Sequence, residues 1–84
     1  MIVVLVMTGP DGTIHRVLWF DEGSFEASKE LALRRAFQLC ESYGTEVNFL
    51  VKDPVLPRSL YDWRMLVASG PPYRLELFGQ PKTL

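Results

Sequence analysis

Six apolar residues run without interruption from position 2, Ile2-Val3-Val4-Leu5-Val6-Met7. Successive strand side chains point to opposite faces, so Ile2, Val4 and Val6 line one side and Val3, Leu5 and Met7 the other. A strand of that kind needs cover on both faces, more than a single helix supplies. Thr8-Gly9-Pro10-Asp11-Gly12-Thr13 follows, in which Pro10 pre-sets its φ and Gly12 can take a positive one, the chemistry of a tight hairpin loop. The returning strand, 14–20, places Ile14, Arg16, Leu18 and Phe20 on one face and His15, Val17 and Trp19 on the other.

Asp21-Glu22-Gly23-Ser24 breaks that strand and offers acids and an N-cap to a helix over 24–43. At 100° per residue, Phe25, Ala32, Leu33, Ala36, Leu39, Cys40 and Tyr43 form its buried stripe, with Glu30, Arg34, Gln38 and Glu41 opposite. Gly44 supplies the stop. Leu31 falls outside the stripe and Phe37 sits at its margin, which makes both candidate partner contacts.

Alternation of Val47, Phe49 and Val51 with polar residues predicts a third strand over 45–52, ended by Asp53-Pro54. Residues 55–58 are proline-rich. Ser59 can cap a short second helix over 60–69, with Leu60, Trp63, Leu66 and Val67 on one side and Gly70-Pro71-Pro72 closing it. A last strand is expected over 73–78 and a frayed, flexible tail over 79–84.

The order ββαβ(α)β predicts one α+β domain spanning 1–84. Its sheet is small, mixed and mostly antiparallel, of about four strands, with the long amphipathic helix on one face and the short helix as optional cover for the other. A right-handed crossover through the long helix makes strand three parallel to strand two, with the apolar first strand between them. If the short helix does not cover the second face, side chains such as Val3, Leu5 and Met7 stay unburied, each forgoing ~1.5–3 kcal/mol, a drive toward dimerisation.

Composition narrows the function classes. Hydrophobic residues make up 48% of the chain and charged residues 23%, ordinary globular usage that argues against disorder. The net charge of −1 argues against a nucleic-acid arm or a polybasic membrane anchor. The opening apolar run lacks a basic leader and is shorter than the ~7–15 residues of a signal-peptide core. No stretch approaches the ~20 apolar residues of a membrane span. A single cysteine, Cys40, cannot form an internal bridge, so a cytoplasmic location is expected.

No motif assigns a chemical activity, a cofactor, a metal or a small-molecule ligand. Cys40 belongs to the buried stripe, where a thiol behaves as a small hydrophobe. His15 is the only histidine and has no histidine partner for a metal site. Asp21 and Glu22 read as charge at a helix N-terminus, and Gly9 and Gly12 flank a hairpin instead of preceding a helix, so no phosphate-cradling loop is present.

The leading reading is a non-catalytic protein-binding or self-associating module, acting through a sheet face, a strand edge or the 53–72 segment. That segment gathers Arg58, Tyr61, Arg64 and Met65, residue types used at interfaces, with Trp63 expected to fold onto the sheet. A second reading is single-stranded nucleic-acid binding, with Trp19 or Phe49 stacking on bases and Arg16, Lys52 and Arg74 along the phosphates. A third is a small enzyme with His15 as general base.

Overall fold

The computed structural model describes residues 2–48 and 63–80. Two strands, β1 (Val3–Thr8) and β2 (Ile14–Phe20), form the expected hairpin. Its loop closes through Gly12 N–H donating to the Gly9 carbonyl at 3.0 Å, with Gly12 at φ 86°, and through Thr13 N–H donating to Asp11 Oδ1 at 3.0 Å. That backbone donor holds the Asp11 carboxyl below its ordinary range.

The long helix, α1 (Phe25–Tyr43), begins where Ser24 was expected to cap it. Ser24 is extended, and its Oγ accepts from Ala27 N–H at 3.2 Å. At the other end Gly44 adopts φ 67°, and the N–H groups of Gly44 and Thr45 donate to the carbonyls of Glu41 and Cys40. The buried row Ser28, Ala32, Ala36 and Cys40 repeats every four residues, so small side chains bring the helix axis close to the sheet. Ser28, polar and absent from the expected stripe, can be buried because its hydroxyl both accepts and donates. Its Oγ accepts from Glu22 N–H and donates to the Ser24 carbonyl, each at 2.8 Å.

The second half of the chain departs from expectation. Of the strand expected over 45–52, residues 45–48 are irregular and 49–52 lie outside the described residues. Where the short helix was expected over 60–69, residues 60–62 also lie outside them, and Trp63–Ala68 is a strand, β3. The physical reason is its partner. β3 pairs with β4 (Arg74–Gly79), from Trp63 opposite Gly79 to Ala68 opposite Leu75 with one slip at Val67, and Gly70-Pro71-Pro72 serves as a hairpin loop instead of a helix stop. Gly79, expected to start the tail, is the last residue of β4 and is buried; residues 81–84 lie outside the described set.

The result is an α+β fold, ββαββ, with one four-stranded antiparallel sheet in the order β2-β1-β4-β3. β1 is central, as its composition demanded, but its second neighbour is the last strand, not the one that follows the helix. Val3, Leu5 and Met7 are fully buried against α1, together with Leu75, Leu77 and Val67. Although 63–68 is not a helix, Val3, Leu5 and Met7, which were to stay unburied in that case, are covered by α1.

Candidate functional site

The face of the sheet away from α1 is set by the other parity of β1. Val4 pairs with Trp19 on one side and Phe78 on the other, and Val6 pairs with Val17 and Glu76. Leu66 and Arg64 of β3 continue the same face, opposite Glu76 and Phe78. No described helix lies on this side: the single described helix is α1, and 63–68, expected to cover this face, is part of the sheet itself.

A bulge in β2 adds to the face. The β1–β2 register slips between Met7, opposite Arg16, and Thr8, opposite Ile14, leaving His15 as the extra residue. Ile14 consequently joins Thr8 on the helix-free face, while His15 and Arg16 both turn toward the helix. This reverses the assignment expected for Ile14 and His15 from simple alternation.

Two halves of the face differ in chemistry. Over β1 and β2 it is uncharged and apolar, and its residues stand far into solvent: Trp19 is 62% exposed, Ile14 60%, Val17 40% and Ile2 39%. Val4, shaded between Trp19 and Phe78, is only 4% exposed. Over β4 and β3 lies an ionic group, in which Glu76 Oε1 is 3.2 Å from Arg74 Nε and Glu76 Oε2 is 3.5 Å from Arg64 Nε. These charges satisfy one another, for a net stabilisation of about 0–1 kcal/mol per pair at such exposure.

A second cluster sits on the helix side at the hairpin end of the sheet. The His15 ring lies 4.9 Å from Tyr73 and 6.4 Å from Tyr43, the two tyrosines meet edge to face at 5.1 Å, and Arg16 Nη2 donates to Tyr43 Oη at 3.5 Å. The ring neighbours of His15 are aromatic, and among the described residues no carboxylate is seen to bond it. Cys40 is buried beneath α1, where burial pushes its thiol up from an ordinary 9.0, away from the thiolate a nucleophile needs. Among the described residues no group of three His, Cys, Asp or Glu side chains could hold a metal ion. A shallow depression of about 410 Å³ between the two loops is lined by Gly9, Pro10, Pro71, Pro72 and Arg74 among others, with Arg74 already engaged by Glu76.

The expected contact residues do not form one surface. Leu31, half-buried, and Phe37, exposed, ride on α1, whereas Arg64 is on the opposite side of the sheet. Met65 packs against the core beside Leu77, and Arg58 and Tyr61 lie outside the described residues. Of the stacking set, Trp19 and Arg74 share the helix-free face, Arg16 does not, and Phe49 and Lys52 lie outside the described residues. Ile14 and Val17 escaped sequence reasoning because β2 is apolar at both parities toward its end; the signal available was the single long helix, which covers one face only. No protein-family model, curated protein or solved structure matches the chain.

Proposed function

We propose that this chain is a small non-catalytic module that works by binding protein through the helix-free face of its sheet. The observation that carries the reading is Trp19, a residue 62% exposed at the end of the row Ile14, Val17, Trp19 on that face. Leaving such a side chain in water forgoes about 1.5–3 kcal/mol, and aromatic residues of this kind are the usual anchors of protein interfaces.

The strand edges support binding less well. β2 carries its bulge at His15 and β3 a second one at Val67, and a bulge interrupts the row of backbone groups that another strand would pair with. Asn48 already occupies β3, its N–H donating to the Val67 carbonyl at 3.0 Å and its Oδ1 accepting from Ser69 N–H at 3.1 Å. Nucleic-acid binding asks for cations free to meet phosphates, and on this face Arg64 and Arg74 share Glu76. Catalysis by His15 finds no orienting carboxylate among the described residues, its ring neighbours being Tyr43 and Tyr73. A reducing compartment such as the cytoplasm suits the single buried thiol, and no described helix is long and apolar enough to cross a membrane.

A photo-reactive phenylalanine analogue placed at position 19, and separately at position 34 on the exposed side of α1, tests the reading in cells. Discrete protein adducts from position 19 and none from position 34 are expected. Absence of adducts from position 19 in a folded, expressed protein would overturn it.

A further inference from the structure

We infer that the occupant of the helix-free face is a second copy of this chain, docked face to face about a twofold axis through the β1–β2 half. The inference rests on the binding role of that face. Three observations lead from an open face to this occupant.

The first is area. The exposed fractions of Trp19, Ile14, Val17 and Ile2 amount to roughly 400 Å², within the ~300–600 Å² range of the largest apolar patch on an ordinary monomer. Pairing two such patches hides up to about 800 Å², and the half-buried Val6 and Thr8 beside them bring it toward the ~1,000 Å² that a specific interface needs.

The second is charge. The paired residues of β1 and β2 present no ionisable side chain on this face, so a copy of itself is a partner that brings little charge to bury there. Among the paired residues of the four strands, the charges on the face, Arg64, Glu76 and Arg74, lie together over β4 and β3. A twofold axis through the apolar half carries the two ionic groups to opposite rims, where they stay in water with their own partners.

The third is closure. An isologous face-to-face contact uses the same patch on both copies and stops at two, whereas pairing through an edge could continue. With bulges at His15 and Val67 on the two edge strands, the face carries most of the exposed large apolar residues among those described and is the better surface for self-recognition. Two sheets packed this way lie ~10 Å apart with interdigitated side chains, which places each Trp19 between the copies.

Sedimentation velocity from 1 to about 300 µM, combined with acrylamide quenching of Trp19 in a Trp63→Phe background, tests the inference. A reversible dimer with Trp19 shielded in proportion to dimer fraction is expected. Trp19→Lys is expected to weaken it by about 100-fold, the size of an interface hot spot, and Ile14→Lys serves if that variant does not fold. Gln38→Lys, which adds the same charge to the exposed side of α1, leaves the dimer unchanged. A dimer indifferent to both face variants overturns the inference. A strict monomer whose Trp19 is freely quenched also overturns it, but leaves the face open for another protein. A monomer with Trp19 shielded overturns the binding role of the face as well.

Discussion

Phe25 and Gly79 meet where the first turn of the helix crosses the end of the sheet, so closely that a β-carbon on Gly79 would lie 2.9 Å from Phe25 Cε1. The Phe25 ring cannot retreat easily, because it meets Trp63 edge to face at 5.1 Å and Lys29 Nζ covers both rings at 5.6 and 5.8 Å. Gly79→Ala is expected to destabilise the fold by about 1–3 kcal/mol through overpacking. Urea unfolding of the single variants and of Gly79→Ala with Phe25→Leu checks this. The smaller side chain should recover about 1 kcal/mol of that loss as a coupling energy.

Ser28 connects the end of β2 to the first turn of α1 through its two hydrogen bonds. Ser28→Ala leaves the Glu22 N–H without its acceptor, at a cost of about 1–2 kcal/mol. Thermal and urea melts should show the loss, and hydrogen exchange should show it concentrated at Glu22 and the first helical turn.

Thr45 is the opposite case. Its Oγ1 is buried and finds no hydrogen-bond partner among the described residues. Thr45→Val keeps the shape and removes the unsatisfied hydroxyl, so it is expected to stabilise the protein by about 1 kcal/mol. An unchanged or lower denaturation midpoint would contradict this account of the site.

Cys40 makes stability depend on alkaline pH. Its thiol pKa is raised in the folded state by burial, so its favourable contribution is complete below the ordinary value of 9.0 and is lost as pH rises past that value toward the folded one. Melting temperatures between pH 8 and 10 should fall less steeply for Cys40→Ala than for the parent chain. Alkylation by iodoacetamide at pH 8 should track unfolding, with the folded protein reacting at least about 100-fold slower than free cysteine.

The sequence was most legible where local chemistry is unambiguous. Ser24, Gly44 and the spacing of Phe25, Ala32, Ala36, Leu39 and Cys40 define α1, and Gly12 with Asp11 defines the hairpin. Residues 63–68 were misread because Trp63, Leu66 and Val67 fit a helical period, while Trp63, Met65 and Val67 fit a strand equally well. Pairing with β4, a tertiary interaction, decides between the two. The candidate site was harder still. Both parities of β1 are apolar, so alternation cannot say which one meets the helix, and nothing local marks the bulge that turns Ile14 outward and His15 inward.

The pairing of Val3 with Gly79 also sets an order of events during synthesis. β1 precedes the other three described strands and lies inside the sheet, yet its second neighbour, β4, is the last of them in chain order. Until β4 leaves the ribosome, the most apolar strand is flanked on one side only, and closing that long loop slows folding relative to a sheet built from neighbours. The nascent chain therefore carries its stickiest segment half-dressed until the last of these four strands has been made.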